Sequence, residues 1–148
     1  MKHLIFALGL VGLTSSAMGA TSYNAKRMQV ASESVRAGIE RIERECAPKV
    51  RENKADLFIL DRLLPAIDEK LEEAEELFSD ASFILEDDPR DFDGRRTFRR
   101  GCSKTSQATL RIGTARIQSL DANIFTPYAD EFADLEDELE FARDVADC

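Results

Sequence analysis

Histidine is nearly absent from this chain: the single residue of that type is His3, near the amino terminus. Ser–His and Cys–His catalytic pairs need an imidazole that titrates near neutral pH, and most zinc and haem sites need one as a ligand. Residues 21–148 contain no histidine. We therefore expect no catalytic residue, no metal ligand and no cofactor there, and we predict that the protein is not an enzyme.

Acidic residues are abundant, so a catalytic pair of carboxylates needs separate consideration. Such a pair requires two acids beside a cleft, one of them desolvated so that its pKa is raised. The densest acidic runs, at positions 69–76 and 136–140, avoid the apolar stripes of their segments. This pattern is typical of solvated helix faces, which favours a non-catalytic protein.

The chain lacks an obvious membrane-spanning run. The apolar stretch at positions 4–13 is about half as long as a spanning helix needs to be. Lys2 precedes this stretch and small residues follow it as far as Ala20, which is the order of a cleaved secretory signal peptide. We predict that residues 1–20 are removed, with a cut at 19/20 or after Ala20. A single domain over 21–148 then remains, periplasmic or secreted from a bacterium, without membrane insertion after cleavage.

Basic residues are the minority, with 20 lysines and arginines against 29 aspartates and glutamates and a formal net charge of −9. Loss of Lys2 with the signal peptide makes the mature chain still more acidic. A surface of this sign repels nucleic acid and anionic membranes. We expect no nucleic-acid partner.

No stretch shows the alternation of apolar and polar residues that is typical of a β-strand. Apolar residues instead recur at spacings of three and four in four segments, which predicts four amphipathic helices. The stripe of the first segment consists of Met28, Val35, Ile39, Ile42 and Cys46. The fourth segment is predicted to open with Thr126 as its cap and Pro127 at its first helical position. Its stripe consists of Tyr128, Phe132, Leu135, Leu139, Ala142 and Ala146.

The second segment is the most regular and is predicted to start at the capping residue Asn53. Its register continues through Pro65, which indicates one kinked helix rather than two. The stripe consists of Leu57, Leu60, Leu64, Ile67, Leu71, Ala74, Phe78, Ala81 and Leu85. The third segment begins near Arg96, and its stripe consists of Leu110, Gly113, Ile117, Leu120 and Ile124.

These four segments predict an all-α protein, a four-helix up-down bundle with coiled-coil-like packing and short connections. The alternative is a long kinked helix hairpin in which the first two helices continue through Pro48. In that form, dimerisation would cover the part of the long helix that extends beyond its partner.

The third helix is basic between two acidic neighbours, since positions 95–116 contain seven basic residues and no acid. One interpretation is that these charges neutralise the flanking helices and fix the order of packing. The other is an anion-binding or partner-binding patch made of Arg95, Arg96, Arg99, Arg100 and Lys104.

Three cysteines leave one unpaired if a disulfide forms within the chain. In an up-down bundle the third helix starts at the end where the fourth finishes, which predicts a Cys102–Cys148 disulfide. Cys46 lies at the opposite end and is either a buried apolar side chain or an intermolecular thiol. The sequence has no CxxC motif, so it does not predict thiol–disulfide oxidoreductase activity.

The stretch EDDPRDFDGRR at positions 86–96 resembles a calcium loop in its acid content. If Gly94 takes the sixth position of an EF-hand loop, the first ligand position falls on Pro89 and the twelfth on Arg100. Neither residue can serve there, so we predict a turn between helices. A weak cation site of another type is the minor alternative.

The third helix is rich in small and polar residues at positions 101–109. They either allow close approach of large partner side chains or leave a cavity for an apolar ligand. No motif in the chain is typical of a known protein family. The favoured hypothesis is a non-catalytic exported bundle that binds an unknown protein partner as an adaptor, inhibitor or chaperone-like binder. The alternatives are a carrier of a small apolar ligand or lipid, and a homodimeric coiled-coil spacer.

Overall fold

The computed structural model describes residues 19–148, so His3 and all but the last two residues of the predicted signal peptide lie outside the described part. Helix α1 spans Ser22–Cys46. Helix α2 is continuous over 54–87, with a π-helical turn at Ile59–Leu63. Helix α3 spans Phe92–Ser119 and helix α4 spans Ala129–Val145. Short 3-10 turns at Ala47–Lys49 and Thr126–Tyr128 precede α2 and α4, and the described residues contain no β-strand.

Each helix lies antiparallel to its neighbours around the bundle. Contacts between α1 and α2 join Lys26 to Glu86 near one end and Arg36 to Asp68 further along. In these contacts, early residues of one helix lie beside late residues of the other. The same holds for α3 with α4, for α2 with α3 and for α1 with α4. The all-α up-down bundle is therefore confirmed. Helix α1 ends at Cys46, so the alternative in which it continues through Pro48 is wrong.

Side-chain caps fix where three of the helices begin, with Thr21 at α1, Asn53 at α2 and Asp91 at α3. The Thr21 hydroxyl accepts the Asn24 amide at 3.0 Å, and the Asn53 side chain accepts the Asp56 amide at the same distance, as predicted for α2. At α4 the predicted Thr126 cap is wrong. The Thr126 hydroxyl donates to the carbonyl of Ala122 in the preceding loop, and the 3-10 turn leads into α4 instead.

The predicted stripe of α2 is correct from Leu64 onward and shifts at the π-turn before it. Downstream of the turn all its members, Leu64 to Leu85, are buried. Upstream, Ile59 and Leu63 face the core, whereas Leu57 and Leu60 are only partly buried. The Leu64 amide donates to the carbonyl of Ile59, five residues back. This extra residue in the turn, just before proline, changes which side chains point inward.

The predicted core face of α3 is wrong. Leu110, Ile117 and Leu120 are 71%, 58% and 70% exposed. The face that packs in the bundle has two large residues, Phe98 and Ile112, and otherwise consists of smaller ones: Gly94, Gly101, Cys102, Thr105, Ala108, Thr109, Ala115 and Ser119.

Two physical reasons make a face of small residues the buried one. A Cβ atom on Gly101 would lie 2.7 Å from the Phe78 ring, so the large residues are supplied by α2. The buried hydroxyls of Thr105, Thr109 and Ser119 donate to carbonyls of their own helix and need no partner elsewhere. Hydrophobicity alone therefore selected the wrong side of α3.

Candidate functional site

The arginine cluster, Arg95, Arg96, Arg99 and Arg100, occupies the first turns of α3. Asp91 caps this helix by accepting the Gly94 amide at 2.8 Å. Gly94 is buried against α2, since a Cβ atom there would lie 2.9 Å from atoms of Ile84 and Leu85. The four arginines point away from this contact and are exposed. The Asp91 cap and the close packing of Gly94 therefore hold the first turn of α3 in place beneath the cluster.

The four arginines make no ion pair within 4.0 Å among residues 19–148. Lys104, the fifth member of the predicted patch, differs from them. Its ammonium lies 2.6 Å from a Glu73 carboxylate oxygen on α2, and this hydrogen-bonded contact lowers the pKa of Glu73. Lys104 thus belongs to the packing of α2 with α3, and the arginines remain as a patch of unneutralised charge.

Two basic residues at other helix contacts behave like Lys104. Arg36 on α1 lies 2.9 Å from both Asp68 and Glu75 on α2, and the hydrogen bond to Asp68 raises the pKa of the guanidinium. Arg116 on α3 lies 3.5 Å from Glu136 on α4. Neutralisation of acidic neighbours accounts for these positions, but not for the arginine cluster.

A pocket of about 270 Å³ adjoins the cluster at the same end of the bundle. Arg95 and Arg99 line one side, and Phe98 and the paired cysteines form an apolar part. Asp147 contributes an acidic group, so the pocket itself is of mixed charge. The candidate site is therefore the solvent side of the cluster, which also carries Arg96 and Arg100, rather than the pocket.

Cys102 and Cys148 lie at disulfide distance, with their sulfur atoms 2.13 Å apart and their Cα atoms 5.2 Å apart. The pair joins the third turn of α3 to Cys148, three residues after the end of α4. It lies next to the arginine cluster, as the up-down topology requires. The paired sulfurs hold the carboxyl-terminal segment against the start of α3.

Cys46 lies at the other end of the bundle and is 1% exposed. Burial raises the pKa of its thiol, which disfavours the reactive thiolate. These properties favour the interpretation as a buried apolar side chain over that of an intermolecular link.

We expect Cys46 to resist a thiol-alkylating reagent in the folded protein and to react fully once the chain is unfolded. Mass spectrometry after timed labelling, with and without denaturant, measures this difference. The alkylated residue is identified by proteolysis, and a Cys46→Ala variant gives the background. Rapid native labelling at Cys46 would contradict the buried position.

The acid-rich stretch at 86–96 is divided between a turn and two helices. Helix α2 ends at Asp87, residues 88–91 form the turn, and α3 already begins at Phe92. Asp88 and Asp91 accept backbone amides of this connection, from Arg90 and Gly94 respectively. Residues 19–148 contain no group of three or more His, Cys, Asp or Glu side chains arranged to hold a metal ion.

The small residues of α3 contact large partners. Gly101 receives the Phe78 ring, which also packs edge-on against Phe98 at 5.5 Å between centroids. The Thr105 hydroxyl accepts a hydrogen bond from Arg143 of α4 at 3.1 Å. These side chains occupy the space beside α3 that the carrier hypothesis requires.

Asp56 is a buried acid that the sequence analysis did not identify. It is 1% exposed, and its carboxylate accepts the amides of Asn123, Ile124 and Phe125 at 3.0–3.3 Å. The carboxylate thereby fixes the connection between α3 and α4. The acid three residues after a cap was the available signal, but the pattern alone did not show that it faces inward.

No family model matches this chain, and comparisons with curated proteins and with solved structures give no significant match. None of the helices described for residues 19–148 combines the length and the apolar character that crossing a membrane requires. The function of the chain is accordingly inferred from the residues themselves.

Proposed function

We propose that the protein is a non-catalytic, exported helical bundle that acts by binding another protein through the arginine cluster of α3. The observation that carries this proposal is the contrast within α3. Lys104 and Arg116 pair with neighbouring helices, whereas the four arginines of the cluster face solvent without an ion pair among the described residues. Charge that the bundle does not neutralise is available to an acidic partner.

The chemistry of arginine supports a protein partner with surface carboxylates. A guanidinium presents several donors in a planar fork, which matches a carboxylate in two-point contact. Four such groups over two turns of one helix offer several of these contacts at once. An acidic surface on the partner would also meet less repulsion at the cluster than over most of this strongly acidic chain.

Export is part of the same proposal. The order of charged, apolar and small residues at positions 1–20 is its main support. The Cys102–Cys148 pair at disulfide distance adds to it, since disulfides persist in oxidising compartments such as the bacterial periplasm. The proposed location is therefore the periplasm or the extracellular medium.

The experiment is site-specific photo-crosslinking of the full chain in its own cells. A photoreactive phenylalanine analogue replaces Ser103, an exposed residue one turn beyond Arg99. We expect one discrete protein adduct, and we expect Arg95→Glu/Arg99→Glu to reduce its yield at least tenfold. Gel analysis and mass spectrometry measure the yield and identify the adduct.

The matched control is Arg44→Glu/Lys49→Glu, which makes the same charge change at exposed positions on the opposite end of the bundle. Glutamates in the first turns of α3 agree with its helix dipole, so the cluster variant is expected to fold. Circular dichroism and thermal unfolding check this directly. An adduct that is absent, or whose yield ignores the arginines, contradicts the proposed function. An adduct between two copies of the chain supports the spacer instead.

A further inference from the structure

The arginine cluster continues into an exposed apolar stripe on the same side of α3. Residues spaced by three, four or seven share one face of a helix. The outer face of α3, defined in this way, comprises Arg96, Arg99, Ser103, Leu110, Thr114 and Ile117, and all of them are exposed. Leu120 flanks this face just after the last turn and is 70% exposed. The face is basic in its first half and apolar in its second.

The dimensions of this face fit a single helix of a partner. At ~1.5 Å per residue, Arg96 and Ile117 are about 32 Å apart along the axis of α3. The spacing of Leu110, Ile117 and Leu120 is seven and three, which is the spacing of anchor residues in helix-to-helix contacts. Ser103 and the partly buried Gln107 lie between the two halves, and the Gln107 side chain donates to the Ser103 hydroxyl at 3.4 Å, so the middle of the face is polar and uncharged.

The charge of the outer face determines which side chains a partner helix must present to it. Between Arg96 and Ile117 the outer face contains basic but no acidic side chains, so its first half attracts carboxylates; the exposed Asp93 lies one turn before it. A second copy of the chain is a poor occupant when it presents the same face. Parallel pairing would set arginines against arginines, and antiparallel pairing would set them against Leu120 and Ile117.

We propose that the outer face of α3 binds a partner protein through an amphipathic helix whose contact stripe is acidic in one half and apolar in the other. The acidic half lies over the arginine cluster, and the apolar half covers Leu110, Ile117 and Leu120. This inference rests on the proposed function and adds to it the kind of segment that is bound. It also gives a role to these three large apolar residues, which side-chain volume keeps outside the core of the bundle.

The test uses the full mature chain and a synthetic helical peptide of 25 residues. Glutamates occupy one half of the peptide's contact stripe and leucines occupy the other, and fluorescence anisotropy measures the Kd. We expect saturable binding that Leu110→Ala/Ile117→Ala weakens at least tenfold. Alanine retains the helix propensity of α3, so the substitutions remove contact area without disturbing the fold.

Two controls distinguish binding at the apolar stripe from nonspecific hydrophobic or electrostatic binding. Val30→Ala/Phe141→Ala removes apolar side chains that are 64% and 68% exposed on α1 and α4, and we expect it to leave the Kd within twofold. A peptide with lysines in place of the glutamates should not bind, because its charges would meet the arginine cluster.

The outcomes distinguish this inference from the proposed function. If Arg96→Glu/Arg99→Glu abolishes binding but Leu110→Ala/Ile117→Ala does not weaken it, the apolar half is wrong and the acidic partner stands. Failure of the peptide to bind the native chain overturns the helix as the bound segment. Vesicles containing anionic phospholipid and sedimentation of the chain alone are measured in parallel. Binding to vesicles, or a dimer, that the alanine pair abolishes would replace the partner helix with that occupant.

Discussion

Replacing Asp56 with alanine is expected to lower the free energy of unfolding by about 3 kcal/mol. The carboxylate accepts three successive amides of the connection between α3 and α4, and it is almost completely buried. Alanine cannot accept these hydrogen bonds, so the three amides would have to recruit water or remain unpaired. Phe125, whose amide is one of the three, is itself fully buried, which ties this connection to the core. Equilibrium unfolding in urea, followed by circular dichroism, measures the difference.

Two further variants show whether the carboxylate is the cause. Asp61→Ala removes an exposed acid from the same part of α2, and we expect it to change the free energy by less than about 0.5 kcal/mol. Asp56→Asn keeps an acceptor oxygen but loses the charge and adds donors where three donors already converge, so an intermediate loss is expected. An Asp56→Ala variant as stable as Asp61→Ala would show that the amides find other partners at no cost.

The sequence was sufficient to predict those elements whose apolar residues greatly exceed their neighbours in size. Helix α2 downstream of Leu64 is such an element, because leucines and phenylalanine at heptad spacing leave one face that can be buried. The up-down topology follows from the short connections between the helices, and it predicts that Cys102 lies beside Cys148.

Helix α3 shows where that approach fails. It carries two stripes with the same period, one of large apolar residues and one of small ones. The core already contains Phe78 from α2, so it accepts the stripe with Gly101 and leaves Leu110 and Ile117 outside. Side-chain volume across the interface decides this choice, and volume complementarity between two helices is not contained in the hydrophobic pattern of either.

Only part of the candidate site could be predicted, because the sequence does not show which side chains of neighbouring helices lie opposite each other. The basic run at 95–104 was visible as charge, but only the positions of neighbouring acids separate Lys104, which is paired, from the arginines, which are not. The large apolar residues of the outer face recur at helical spacing, and that spacing alone predicts a core position for them. Some helices have two faces that could each pack into a core. On such a helix, an apolar stripe next to unpaired charge indicates an interaction surface as readily as a core position.

The second large effect is expected from the cysteine pair. Reduction, or the double variant Cys102→Ser/Cys148→Ser, should lower the free energy of unfolding by about 3–4 kcal/mol for a separation of 46 residues. In the chain-entropy account, the cross-link acts mainly by restricting the unfolded chain. Urea unfolding with and without reductant, on a Cys46→Ala background that prevents thiol exchange, measures this difference.

The same cross-link also has a local consequence for the arginine cluster. Cys148 lines the pocket beside Arg95 and Arg99, and Ala146 next to it is fully buried. Without the cross-link the segment after α4 is held by this packing and by local backbone hydrogen bonds to carbonyls at 142–144. Amide hydrogen exchange at 145–148 should therefore accelerate more than exchange at the middle of α3. Cys46→Ala alone should leave both rates unchanged. A double variant that unfolds at the same urea concentration as its parent would show that the sulfurs are not bonded in solution, and the rigidity of this end would then depend on the packing of Ala146 and the cap at Asp91.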